Sequence, residues 1–229
     1  MAGVVRSSHF LFMTAHFPSS LASSVANGQL LASQLTCLRG ERILFEGLDL
    51  HLDAGEWLHV RGENGVGKTS LLRLLAGLAQ PASGGIFWGG LSITIDPSTY
   101  HQHLFFLGHR DALKEDLSAL ENIAIAAALD GQRISEDRML AALHRFGLRG
   151  REDLPVTCLS AGQKRRVLLA RLLLRSSQLW ILDEPFNALD SQAIKMLERV
   201  IGEHIAAGGM VILTSHQEVA IPNGRVIEL

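Results

Sequence analysis

At 229 residues with 47% apolar side chains, the chain is long enough for one large α/β domain or two small ones, and too apolar to be disordered throughout. With 23 acids against 21 Lys and Arg, the formal net charge of -2 excludes a general attraction to nucleic acid or anionic lipid, though not a local basic patch. Two cysteines, Cys37 and Cys158, form no C-x-x-C pair and no metal-ligand cluster, so they read as small apolar residues in a reducing compartment.

Met1 to Gly28 is rich in Ser, Ala and His without a steady period and reads as a disordered lead or an over-extended start, with Met13 a candidate initiator. Its apolar stretch FLFM is too short for a secretory signal, and Arg6 is the only basic residue before Arg39. The longest apolar run, IAIAAAL at Ile123 to Leu129, falls far short of the ~20 residues a spanning helix needs.

From Gln29 to Leu52 the pattern is strand-like: Leu48, Leu50 and Leu52 alternate with Asp49, His51 and Asp53, which predicts an antiparallel β layer. Glu56 to Val60 is a further strand. It leads into GENGVGKTS at Gly62 to Ser70, which fits the phosphate-binding template G-x-x-x-x-G-K-[ST]. The backbone of Gly62, Glu63, Asn64, Gly65, Val66 and Gly67 can turn its N–H groups toward phosphates, and the N-terminus of the next helix adds partial positive charge. Lys68 adds a full charge, Thr69 a hydroxyl for Mg2+, and Ser70 completes the contact set. The helix carries Leu71, Leu72, Leu74 and Leu75 inward and ends near Gly77, with short strands and turns over Gly84 to Ile95.

Leu104 to Leu107 reads as a short buried strand ending at Gly108 and His109. Ser118 and Glu121 have capping-box spacing ahead of a helix, and helical patterns continue through Asp137 to Phe146. Residues 99–176 thus read as a mainly helical arm. The strand LWIL at Leu179 to Leu182 delivers Asp183 and Glu184 to its carboxyl end, where open α/β sheets place ligands. Asp183 is the candidate Mg2+ ligand and Glu184 the group that polarises an attacking water. GMVILTSH at Gly209 to His216 is another buried strand, ending in a histidine.

LSAGQ at Leu159 to Gln163, ahead of Asp183, resembles the signature motif of ATP-binding-cassette (ABC) ATPases, usually LSGGQ. Asn187 to Asp190 is similar to that family's D-loop, and His216 to its switch histidine. The resemblance spans Gln29 to Leu229 and implies a P-loop NTPase fold: an α/β ABC ATPase domain over 29–229 with an antiparallel β layer, a parallel-sheet core and a helical subdomain. It implies ATP and Mg2+ as ligands, Glu184 and His216 as catalytic residues, and two cassettes packed head to tail, here a homodimer. Ser160, Gly162, Gln163 and Asp190 would then meet the ATP held by the other copy. Ser160 can cap a helix whose positive end points at the γ-phosphate, with Gly162 allowing close approach.

Two positions depart from the usual cassette. Arg39 or a neighbour stands where an aromatic commonly stacks on adenine, and His109 replaces the Q-loop glutamine, so His109 is either a Mg2+ ligand through a neutral nitrogen or a packing residue. Tyr100 to His109, Gly147 to Leu172 and LWILDEPFNALD resemble the ATP-binding subunits of the haem exporter of bacterial cytochrome c maturation. That narrower resemblance implies a peripheral protein on the cytoplasmic face of the inner membrane, working with integral membrane subunits touched near His109 to Glu121. No nucleic-acid partner is expected. No direct haem binding is expected either, since His101 and His103 make a poor ligand set and no C-x-x-C-H occurs. The alternatives are an ABC exporter for another cargo and a soluble ABC ATPase acting on DNA or ribosomes, the latter disfavoured by the single cassette and the slight negative charge.

Overall fold

The computed structural model describes residues 28–109 and 112–229, so the lead expected over Met1 to Gly28 lies outside the described residues apart from Gly28. Among the described residues, two sheets organise the chain. The first is antiparallel, in the order β2-β1-β4-β5, from β1 (Leu30–Arg39), β2 (Arg42–Leu52), β4 (Ser83–Trp88) and β5 (Leu91–Ser92). Its register pairs Leu30 with Leu52 and Ala32 with Leu50, so the alternating leucines fall on one face, Leu50 and Leu52 buried and Leu48 half-buried.

The second sheet is parallel, in the order β6-β7-β8-β3-β9. Its strands are β3 (Trp57–Arg61), β6 (Leu104–Leu107), β7 (Leu179–Leu182), β8 (Met210–Thr214) and β9 (Arg225–Glu228). Alternate residues feed two separate cores. Leu58, Val60, Leu179, Ile181, Met210 and Ile212 face α1 (Lys68–Leu75) and the antiparallel layer; Trp57, Trp180, Leu182, Val211 and Leu213 face the helices. A sheet covered on both faces must read as a continuous apolar run, as LWIL and MVIL do.

The helical side contains α3 (Ala119–Leu129), α4 (Glu136–Arg145), α5 (Ala161–Ala170) and α6 (Ser191–Ala206), with α3, α4 and α5 packed on one another. The capping box at Ser118 and Glu121 forms as its spacing predicts. Within the span 99–176, β6 is laid beside β7 in the parallel sheet, and Leu107 is opposite Leu182. Ahead of it, α2 (Pro97–His103) begins on an Asp96 cap with Pro97 at its first position, a start signal the sequence reading passed over. Through Tyr100 and His101 it hydrogen-bonds the last carbonyls of α1, those of Leu75 and Ala76. Strand β9 was likewise not anticipated: four residues with mostly exposed side chains leave no pattern to read.

Parallel pairing fixes where the loops emerge. Val60 is opposite Thr214, Leu213 opposite Leu182, and Leu182 opposite Leu107. The segments that begin at Gly62, Gly108, Asp183 and Ser215 therefore leave the same edge of one sheet.

Candidate functional site

The loop between β3 and α1 wraps its own lysine. Lys68 opens the helix, its residue only 9% exposed, and its Nζ donates to the carbonyls of Gly62 at 2.7 Å and Glu63 at 3.0 Å. This holds the ammonium at the mouth of the loop, beside the unpaired N–H groups of the first helical turn. Gly62 sits at φ 142, and a Cβ there would lie 2.8 Å from the Leu229 carbonyl oxygen, so no other residue fits the entry to the loop.

At the end of β7, Asp183 is buried and fully engaged. Its Oδ2 accepts from the Thr69 hydroxyl at 2.9 Å, its Oδ1 from the Thr214 hydroxyl at 2.9 Å, and its N–H donates to Leu107 at 2.8 Å. Glu184 follows in the left-handed region, at φ 49, a conformation costly for a residue with a Cβ. Two buried groups hold it there. The Glu184 N–H donates to Thr214 Oγ1 at 2.8 Å, and Arg165 from α5 donates to the carbonyls of Asp183 at 3.0 Å and Glu184 at 2.7 Å. The strained turn aims the Glu184 side chain off the sheet edge, where its buried Oε1 finds no hydrogen-bond donor among the described residues; His216 Nε2 lies 3.4 Å away.

These groups surround a pocket of about 250 Å³ lined by Asn64, Gly65, Gly67, Lys68, Thr69, Ser70, His109, Asp183, Glu184 and His216, with Arg39 and Leu44 at one side. Ten residues singled out from the sequence as site residues thus converge, and Arg39 lines the same pocket. The Thr69 hydroxyl and the Asp183 carboxylate are hard oxygen donors side by side, a pair suited to Mg2+. His109, exposed, lines the same pocket. An ammonium, a metal-ligand pair, an orphaned carboxylate oxygen and a histidine facing one cavity can bind a polyphosphate and direct water at its terminal phosphorus.

Of the remaining predicted residues, Gly62, Glu63 and Val66 build the loop without lining the pocket. Ser160, Gly162, Gln163 and Asp190 are elsewhere. Ser160 caps α5, and the Gln163 side chain returns to the Ser160 N–H at 2.9 Å, closing a capping box. Gly162 packs against the D-loop so closely that a Cβ would lie 2.6 Å from the Ala188 carbonyl oxygen. Asp190 caps α6 through Ala193 at 2.9 Å and pairs with Arg166. The hydrogen bond from Ala193, aided by Arg166, keeps the Asp190 carboxyl below the usual carboxylate range. His101 bonds the Ala76 carbonyl and His103 stacks on Trp88, so the two face different partners.

Sequence reasoning missed Thr214 and Arg165. Thr214 lies inside the apolar run Gly209 to His216, and Arg165 in the middle of the run KRR at Lys164 to Arg166. The buried strand ending in a hydroxyl residue before His216 was the available signal for the first; nothing local marked the second.

Comparison with known proteins was consistent across three levels. The profile of the family described as ABC transporter matches residues 45–187. A curated relative from Dechloromonas aromatica named "Cytochrome c biogenesis ATP-binding export protein CcmA" is 52% identical over 200 residues, covering 87% of this chain and 98% of its own. Proteins of the same name from Methylococcus capsulatus and Vibrio cholerae are 48% and 47% identical, each covering 86% of this chain and 95% of the relative. Among solved structures, a putative ABC transporter ATP-binding protein from Pyrococcus furiosus superposes with TM-score 0.78 at 25% identity, over 88% of this chain and 97% of that one. The ATP-binding cassette MJ0796, solved as a dimer in a post-hydrolysis state with ADP and Pi, gives TM-score 0.76 at 23% identity over 87% and 94% of the two chains.

Proposed function

The chain belongs to the ABC transporter family and is an ATPase cassette of it, and from that premise we propose that it powers a membrane export complex serving c-type cytochrome biogenesis. The observation that carries the ATPase reading is the meeting of Lys68, Thr69, Asp183, Glu184 and His216 around one pocket. The assignment to cytochrome c biogenesis rests on the curated relatives, whose printed names say so of them.

ATP enters with its phosphates on the loop N–H groups and Lys68, and its base toward Arg39 and Leu44. Thr69 and Asp183, with His109 as a further nitrogen donor, would hold Mg2+, which would offset the phosphate charge. Glu184 is poised to accept a hydrogen bond from the attacking water through its unpaired Oε1, and His216 donates toward the γ-phosphate. Ser160, Gly162, Gln163 and Asp190 act on the ATP of a second copy. In support, they stand together outside the pocket, and a cassette of the same fold has been solved as a dimer.

No helix among the described residues is long and apolar enough to cross a membrane, so the export reading requires separate integral membrane subunits. Their docking region is the arm near His109 to Glu121, of which residues 110 and 111 lie outside the described residues, with the protein peripheral on the cytoplasmic face of the inner membrane. The cargo is haem or a haem-loaded chaperone. An exporter for another cargo is the competing reading.

Deletion of the gene, with complementation by wild type, Lys68→Ala or Glu184→Gln and haem staining of membrane proteins, tests the assignment. The expected result is loss of mature c-type cytochromes restored by wild type alone. Normal c-type cytochromes in the deletion strain would sink the biogenesis reading and leave the ATPase standing.

A further inference from the structure

Strand β3 carries a second set of polar groups on the face opposite α1. Side chains of a strand alternate, so Trp57, His59 and Arg61 form one row, and that row lies under the irregular segment that follows β8. Trp57 Nε1 donates to the Pro222 carbonyl at 2.9 Å, His59 Nε2 is 3.1 Å from the Ser215 carbonyl, and Arg61 Nε donates to His59 Nδ1 at 3.2 Å. His59 is 2% exposed and none of the proposed ATP contacts uses it.

The partners settle its protonation. Arg61 can only donate, so Nδ1 must be the lone-pair nitrogen, and the single proton sits on Nε2 and is given to the Ser215 carbonyl. Burial and the Arg61 charge both push the imidazole below its ordinary value, the Ser215 carbonyl opposing them, so the neutral ring is the form held in the fold.

Ser215 is the first residue past the ladder. Strand β3 pairs with β8 as far as Val60 opposite Thr214, after which no strand hydrogen bond holds the chain. The Ser215 carbonyl belongs to the peptide that carries His216, and the Ser215 hydroxyl is already closed on Gln217, 3.0 Å from its carbonyl and 3.1 Å from its N–H. The orientation of the peptide link from Ser215 to His216 thus depends on a side chain from the strand that leads into the phosphate loop.

We propose that His59 is a positioning residue for ATP hydrolysis: by donating to the Ser215 carbonyl it fixes the peptide from which His216 reaches Glu184 and the terminal phosphate. This rests on the ATPase reading above. It also ties the phosphate loop to the switch histidine through three covalently adjacent residues, Val60 to Gly62, so the two are placed by one strand.

The test is steady-state hydrolysis by the purified full chain, with ATP affinity and thermal unfolding measured beside it. His59→Leu removes both nitrogens at similar volume and is expected to lower kcat about 10- to 100-fold while ATP affinity changes less than about threefold. His59→Gln can donate to Ser215 and accept from Arg61, and is expected to recover most of kcat. Arg61→Met, at a half-buried site, frees the ring tautomer and is expected to lower kcat a few-fold, which keeps the test alive should His59→Leu not fold. In a His216→Ala background, His59→Leu is expected to have no additional effect on kcat, because His59 acts through His216. Unchanged kcat in both His59→Leu and Arg61→Met, or fully multiplicative losses with His216→Ala, overturns the inference alone. Absence of turnover by the wild-type chain overturns the ATPase reading and this inference together.

Discussion

The pocket at the sheet edge and the face formed by the starts of α5 and α6 are built in opposite ways. In the pocket, Asp183 and Glu184 are buried, the backbone is held in a strained turn by Thr214 and Arg165, and one carboxylate oxygen is left without a donor. On the other face, Ser160 and Asp190 are exposed and Gln163 is half-buried, and all three bond their own helix N-termini. The first region is preorganised for chemistry within one chain; the second, on the function proposed above, is a presented surface that would meet the ATP of a second copy. Gly162 against Ala188 and Arg166 with Asp190 bring the two helix starts into contact.

Glu184→Gln keeps the shape of the pocket and removes the carboxylate, so ATP binding is expected to persist while turnover falls ~10²–10⁴-fold in a phosphate-release assay. The ATP-bound dimer should accumulate on size exclusion. Lys68→Ala is expected to give the reverse, with nucleotide binding weakened roughly 10- to 100-fold, since a charge-assisted contact to phosphate is gone. Near-normal turnover in Glu184→Gln would remove Glu184 from the role given to it.

Arg165 joins the two regions, and its loss is expected to show in stability. The residue is 5% exposed, and its guanidinium also lies near the carbonyls of Pro185 at 3.4 Å and Gly108 at 3.5 Å. Arg165→Met keeps the apolar stem but strips donors from buried carbonyls, at a cost of roughly 2–4 kcal/mol in urea unfolding. An unchanged midpoint would mean that the strained turn at Glu184 holds itself.

Gly162 sharpens the contrast in the other direction. A methyl group there meets the Ala188 backbone oxygen rather than a flexible side chain, so α5 and the D-loop must separate. Gly162→Ala is expected to leave ATP binding by the single chain unchanged and to reduce turnover about 10- to 100-fold. Weakened binding in the single chain would show that this face contributes to the pocket of its own chain.

What could be read from the sequence follows the same division. Asn64 to Ser70, Asp183 and Glu184 were legible because phosphate chemistry demands those residue types at fixed spacing between a strand and a helix. The leucine alternation around Leu50 and the apolar runs of β7 and β8 were legible because burial imposes a period. Thr214, Arg165 and His59 were not, since each acts through a contact across the sheet or between distant segments, and a lone polar residue in an apolar run carries no sign of its partner. Helix α2 hid in a histidine-rich stretch with little apolar periodicity, and β9 has only four residues, mostly exposed.

The smallest expected effect concerns a third place, the amino end of the sheet, which must be separated from the pocket before any acid loss of activity is assigned to His109 or His216. There the His204 ring lies parallel to Trp180, with centroids 3.7 Å apart and planes 2° from coplanar, and its Nε2 donates to the Gln178 carbonyl at 3.2 Å. Burial against the indole pushes the imidazole down to about 4, the carbonyl contacts opposing it. The folded protein therefore keeps His204 neutral where the unfolded chain, with an ordinary value near 6.5, binds a proton. Between about pH 6.5 and 4 the unfolded state holds more protons, so stability is full above pH 6.5 and is lost as pH falls through that window. The loss is on the order of 1–2 kcal/mol once the solvent screening of a partly exposed ring is allowed for. His204→Phe keeps the stack, and Gln178 retains the Met210 N–H at 2.7 Å, so the variant is expected to fold. Its unfolding midpoint should vary less between about pH 6.5 and 4.5 than that of the wild type, with hydrolysis at about pH 7.5 unchanged. Equal pH slopes for the two proteins would return the acid sensitivity to other groups, the buried His59 first among them.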